Sequence, residues 1–137
     1  MAYWTIKVFV NDDGTDEIET WLRIQGKRIL AKANKFIAHL EMEKEWRRPL
    51  FDKFQNHDKL HEIRFRGPGN IQYRLIGYYG PQQRDFTILI GAIERGGKYT
   101  PRSALEIAER RIQLISEDER RSDGYWTKRK VAGITEG

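Results

Sequence analysis

Cysteine is absent from this chain of 137 residues, and histidine, methionine and proline are scarce, at three, two and four. Without thiols there can be no disulfide, no thiolate nucleophile and no cysteine-based zinc site. No apolar run approaches the ~18 residues that a membrane helix needs, and no signal-peptide core follows Met1, so a cytoplasmic soluble protein is expected. The histidines are scattered without metal-ligand spacing, and neither a GxxxxGK[ST] loop nor a GxGxxG opening a helix occurs. Metal, nucleotide-triphosphate and dinucleotide sites are therefore unsupported, and no cofactor is expected. A GxSxG elbow is missing as well, and Ser103, Ser116 and Ser122 have no evident base nearby. Internal repeats, low-complexity tracts and heptads are also lacking.

What the chain does have is positive charge in one place. Residues 1–58 carry ten Lys/Arg against ten Asp/Glu, residues 59–102 eight against three, and residues 103–137 seven against seven. The formal excess of +5 thus sits in the middle of the chain, in residues 59–102, where three apolar runs between Leu60 and Pro101 are joined by glycine-rich turns. That is the pattern of an antiparallel meander. A sheet with arginines inside its strands, between two electroneutral flanks, reads as a surface for a polyanion.

Around it the chain divides simply. Tyr3 to Val10 alternates as a half-buried strand does, and Asn11-Asp12-Asp13-Gly14 ends it. Asp16 and Glu19 have capping-box spacing, so a short helix should follow and stop near Gly26. From Lys27, the residues Ile29, Leu30, Ala33, Phe36, Ile37 and Leu40 form one helical stripe, with Lys32, Lys35, His39, Glu41 and Glu43 as its solvated side. Residues 45–59 read as irregular, anchored by Trp46, Leu50, Phe51 and Phe54, with His57 in a polar turn. Three strands follow, Leu60–Arg66, Ile71–Tyr79 and Phe86–Ile93. The segment Glu94–Tyr99 is expected to be polar and flexible, until Thr100-Pro101 opens a last helix as N-cap and first-turn proline, running to about Glu119.

The order β-α-α-β-β-β-α predicts an α+β fold, with a mostly antiparallel sheet, a helical hairpin packed on one face and the helices segregated to one side. Residues 1–120 should form one domain. Residues 121–137 lose periodicity and are expected to be an appendage, disordered or partner-binding; there Tyr125, Trp126, Lys128, Arg129 and Lys130 suit an RNA contact, or packing back on the body or on a neighbouring chain.

The candidate site lies in the meander. A hairpin centred on Gly69 sets Arg64 opposite Arg74, an arrangement destabilised by like charge and tolerated where an anion visits. A loop one residue different would set Arg64 opposite Tyr73 instead. Arg64, Arg74, Arg95, Lys98 and Tyr99, with Glu62 and Glu94 as the nearest carboxylates, can hold a phosphodiester and neutralise the charge of its transition state without metal. RNA suits such a site, since its 2′-OH is an internal nucleophile once positioned. Arginine cannot act as a base. A tyrosine can do so if cations lower its pKa, and Tyr99 between Arg95 and Lys98 has a reason for that shift. The bland reading is that Tyr99 covers the helix start and the arginines form surface pairs with Glu62 and Glu94.

At LHEIRF, QYRLIGYY, ILIGAI and KYTP followed by ALEIAERR, the chain resembles the RelE/ParE superfamily of bacterial toxins from type II toxin-antitoxin modules, most closely its phage-derived, HigB-like branch. The resemblance spans roughly Ile18 to Ile115, and Leu60 to Arg111 is its specific part. It implies a RelE-like fold and a metal-independent endoribonuclease, an mRNA interferase that cuts mRNA on the 70S ribosome and is held inactive by a cognate antitoxin protein. By the same resemblance Arg74 is a phosphate-holding catalytic position and Arg64 a basic residue on the preceding strand. Arg95 is the basic residue after the last long strand, and Tyr99 the aromatic that stacks on a base or joins proton transfer. Arg66, Lys98 and Arg102 would be RNA-binding, and Glu62 and Glu94 proton-transfer candidates.

The chain departs from the branch where HGFxKK is usual: Ile90 stands for the histidine, Ala92 for the aromatic and Glu94 for the first lysine. Two other functions stay open. One is gyrase inhibition of the ParE-like kind. The other is a decayed toxin that binds an antitoxin without catalysis.

Overall fold

The computed structural model describes residues 2–127. Its elements are β1 (Thr5–Phe9), α1 (Glu17–Gln25), α2 (Lys27–Met42), β2 (Phe51–Lys53), β3 (His61–Arg66), β4 (Gln72–Tyr79), β5 (Asp85–Arg95), β6 (Lys98–Thr100), α3 (Ala104–Glu117) and β7 (Ser122–Gly124). One sheet holds all the strands in the order β2-β3-β4-β5-β1-β7, with β6 beside β5. β1 and β5 run parallel, and the other pairings are antiparallel. The fold is α+β with a mixed, mostly antiparallel sheet. The helices and hairpins between β1 and β5 supply the long connection that a parallel pair requires.

Local chemistry starts α1 and separates it from α2 as expected. The Glu19 backbone N–H donates to Asp16 Oδ1 over 3.0 Å, and Gly26, at φ 113°, separates α1 from α2. The predicted stripe of α2 is its buried side, through Ile29, Ala33, Ile37 and Leu40. α1 and α2 cover the sheet face that carries Phe65 and Tyr73: Trp21 meets Tyr73 edge-on at 6.2 Å, and Phe36 lies 5.8 Å from Phe65. A Cβ at Gly91 would stand 2.3 Å from the Trp21 ring, so a glycine is what lets α1 sit this close to β5. Buried aliphatic side chains of β3, β4 and β5, among them Ile63, Leu75, Ile76 and Ile88, complete the core.

Four expectations need correction. The helices are not segregated to one side, because α3 packs its buried Ala104, Ala108 and Ile115 on β4 and β5 from the face that α1 and α2 leave open. The irregular segment after Pro49 contains β2, which pairs Phe51–Lys53 with Ile63–His61. Glu94–Tyr99 is a tight hairpin in which Gly96 and Gly97, at φ 57° and 79°, turn β5 into β6. That hairpin takes Thr100 into a strand, so α3 begins at Ala104, three residues beyond Pro101. Its end at Glu117 is close to the expected one.

The boundary expected after residue 120 does not mark the end of the fold. β7 pairs Ser122–Gly124 with Phe9–Lys7 of β1. Tyr125, 1 % exposed, donates its hydroxyl to Asn34 Oδ1 over 2.6 Å, and the Trp126 indole N–H donates to Glu41 Oε1 over 2.7 Å. Both aromatics therefore pack back on α2. Lys128, Arg129 and Lys130, and the rest of residues 128–137, lie outside the described residues.

Deleting the Tyr125 ring should open a cavity in this layer. Tyr125→Ala is expected to cost about 3–5 kcal/mol of unfolding free energy, read by urea denaturation. An unchanged midpoint would show that residues 122–127 do not belong to the cooperative unit.

Candidate functional site

The hairpin between β3 and β4 is centred on Gly69, which takes φ 73°, and it pairs Arg64 with Arg74 and Arg66 with Gln72. The paired register expected from the sequence is therefore the one adopted. Alternation along the strands then decides which side chains share a face. Glu62, Arg64, Arg66, Gln72 and Arg74 stand together; through Gln72↔Glu94 and Glu94↔Tyr99, Glu94 and Tyr99 join them.

Carboxylates offset the like-charge contact between the two arginines. Arg74 Nε donates to Glu94 Oε1 over 2.8 Å and lies 3.6 Å from Glu62 Oε1, and its Nη1 donates to the Tyr73 carbonyl over 3.0 Å. Both acids are diagonal neighbours, Glu62 two residues from Arg74's partner on β3 and Glu94 two from its partner Ala92 on β5. Only 3 % of the Arg74 side chain is exposed. Arg64 is directed to Asp52 Oδ2, 3.3 Å away, and reaches Glu62 Oε2 at 4.0 Å. Arg48 joins the same Asp52 from the other side at 3.1 Å.

Tyr99 donates its hydroxyl to Glu62 Oε1 over 3.0 Å, and its ring lies 5.9 Å from Phe54. Burial, then the charge of Glu62 and the hydrogen bond to it, push the Tyr99 phenol up from its ordinary value. The sequence argument for a lowered pKa thus fails, because burial and the charges of Glu62 and Glu94 outweigh the pull of Arg74. Glu62 is shifted as well. Burial raises its pKa, against the pull of Tyr99, Arg74 and Arg64 in the other direction, and the Glu94 charge adds to the rise. Glu62 is therefore the site's candidate for exchanging a proton.

Three expected members stand apart. Arg95 pairs with Lys98 at the tip of the β5–β6 hairpin, both exposed, and alternation turns them to the face opposite Glu94 and Tyr99. Arg102 is exposed in the turn before α3. His57 lies 3.2 Å from Glu109 of α3, away from the arginines.

Other residues join in that the sequence reading had set aside. Among the described residues the outer edge of β3 has no strand partner beyond Ile63, and a groove of 440 Å³ runs along it. Arg64, Arg66 and Arg74 line it from the sheet, Lys32 and Phe36 from α2, and Pro49 and Leu50 from the connecting loop. The helical stripe of α2 placed Lys32 correctly on the solvated side, but only the packing of α2 on β3 brings it to Arg66, whose carbonyl its ammonium binds. Asp52, the partner of Arg64, gave no local signal at all. Among the described residues no group of three or more potential ligands gathers to hold a metal ion, and no helix is long and apolar enough to cross a membrane.

No family model matches the chain, and no similar curated protein or solved structure is found.

Removing the guanidinium should expose how much the buried acid depends on it. Arg74→Ala is expected to destabilise by about 3–5 kcal/mol at neutral pH, the cost of leaving a buried charge without its partner. Since the Glu62 pKa is raised in the fold, its protonated form favours folding, a contribution complete below the unfolded pKa and lost as pH rises through the folded one. Loss of Arg74 raises that folded pKa further. The stability gap between wild type and Arg74→Ala should therefore narrow as pH falls through the folded value, measured by urea unfolding across that range. A gap constant with pH would show that Glu62 is not the group left uncompensated.

Proposed function

We propose that this chain is a RelE-like toxin of a type II toxin-antitoxin pair, a metal-independent endoribonuclease that acts on mRNA at the ribosome and is restrained by a cognate antitoxin. The observation that carries the reading is the contact of Arg74, Glu62 and Tyr99 on one sheet face beside an open groove lined by cations. The family resemblance in LHEIRF and QYRL supports it independently of that contact.

In this reading the roles differ from those implied by the resemblance. Glu62, not Tyr99, takes the proton from the attacking 2′-OH, because its raised pKa suits a base and the phenol stays protonated. Tyr99 positions Glu62 through their hydrogen bond. Arg64 and Arg74 face the phosphate and offset the charge that grows on its oxygens as the 2′ oxygen bonds to phosphorus and the 5′ oxygen leaves, protonated by solvent. Arg95 and Lys98 take no part at phosphorus, since they face away from it. Glu94 opposes the reaction at rest by holding Arg74 at 2.8 Å.

That same contact favours a second reading. With Arg74 enclosed by two acids and 3 % exposed, the chain would bind a partner protein without cutting RNA. Cleavage of mRNA on programmed ribosomes separates the two. Under the first, wild type cuts, Glu62→Gln cuts on the order of 10²–10⁴-fold more slowly, Arg74→Lys loses on the order of 10²-fold, and Glu94→Gln cuts faster than wild type. No cutting by wild type or by Glu94→Gln, with tight binding to a small protein encoded beside it, would establish the second. Inhibition of gyrase supercoiling without cutting would overturn both.

A further inference from the structure

The groove at the β3 edge does not end at Arg66. A second hollow of 520 Å³, lined by Arg28, Lys32, Arg66, Pro68 and Asn70, continues it along α2 and the β3–β4 turn. The two share Lys32 and Arg66 as a common wall. Together they present Arg28, Lys32, Arg64, Arg66 and Arg74, and among the described residues no Asp or Glu lines either one. Among the described residues, Arg28, Lys32 and Arg66 make no ion pair with a carboxylate, whereas Arg64 and Arg74 at the inner end are held by acids. Free cations thus lie outside and neutralised ones inside, along one trough with an apolar floor of Ile29, Phe36 and Phe65.

From this gradient we infer that the trough is the track of a single-stranded RNA, whose successive phosphates are taken by Arg28, Lys32 and Arg66 before the chain reaches Arg64. The inference rests on the endoribonuclease reading for its choice of RNA, and on charge for the rest. A polyanion gains most where cations are unpaired and no acid repels it. The half-buried Phe36 ring gives a base or ribose an apolar surface between phosphates. An added peptide strand fits the same edge poorly, because two of the edge's hydrogen-bonding groups are already taken. The Arg64 N–H donates to the Leu50 carbonyl over 2.6 Å, and the Lys32 ammonium occupies the Arg66 carbonyl.

The test uses the full chain and a fluorescein-labelled 2′-O-methyl RNA oligonucleotide, which lacks the nucleophile and cannot be cut, titrated by anisotropy at several KCl concentrations. The double substitution Arg28→Glu with Lys32→Glu is expected to weaken binding by at least about tenfold and to lower the salt slope by about 1.4, the value for two lost phosphate contacts on a single strand. Arg66→Gln, which leaves the backbone contact with Lys32 in place, should weaken binding severalfold. Lys59→Glu, on the exposed β2–β3 loop, should leave it unchanged. Circular dichroism melting confirms that each variant is folded.

Binding indifferent to Arg28, Lys32 and Arg66 overturns the track, as does preference for a poly-glutamate peptide over RNA, which would make the trough a protein-docking surface. Equal affinity for a DNA strand of the same sequence would keep the phosphate track but remove the choice of RNA. Since the probe is uncleavable, trough-dependent binding with no ribosomal cleavage sinks the nuclease reading alone. Cleavage by wild type with binding indifferent to the trough sinks this inference alone.

Discussion

The enclosure of one guanidinium between two carboxylates sets the character of this molecule. Arg74 lies in the middle of β4, where burial removes nearly all contact with water, and such a charge persists only if partners replace the solvent. Glu94 and Glu62 supply that replacement from the strands on either side, so the three central strands are tied by charge as well as by their backbone ladders. Burial raises the Glu62 pKa despite the attraction of two arginines, which shows that desolvation outweighs pairing at this point. The raised pKa of Glu62 and the enclosure of Arg74 thus arise from the same cause, burial.

The rest of the architecture keeps this arrangement in place. The α1–α2 pair and α3 cover opposite faces of the sheet and leave the outer edge of β3 accessible. β7 and Tyr125 close the far side of the sheet against β1 and α2. The face that carries Arg74 and Glu62 is consequently supported by the most buried strands, while the cations of α2 lie across the outer edge of β3. That separation of a rigid interior from an open border is what lets one surface combine enclosed and unpaired positive charge.

Much of this was legible in the residues. Capping by Asp16, the break at Gly26, the buried stripe of α2 and the paired register of Arg64 with Arg74 follow from patterns a few residues long. The shorter strands were missed for a physical reason. β2, β6 and β7 have three residues each, too few for alternation to show, and each exists because an edge of a neighbouring strand is available to pair with. The lowered Tyr99 pKa was misjudged for a related reason, since neighbours in sequence, Arg95 and Lys98, alternate away while an acid 37 residues distant makes the contact.

The amino-acid sequence by itself settled the α+β class, the two hairpin helices and the concentration of cations in the central meander, because hydrophobic period, caps and turn glycines act over one or two turns of chain. Only the tertiary structure decided which of those cations stay free and which are buried with acids. Burial and the partners brought by strand register and helix packing control that outcome, and none of them is encoded within reach of the residue they affect.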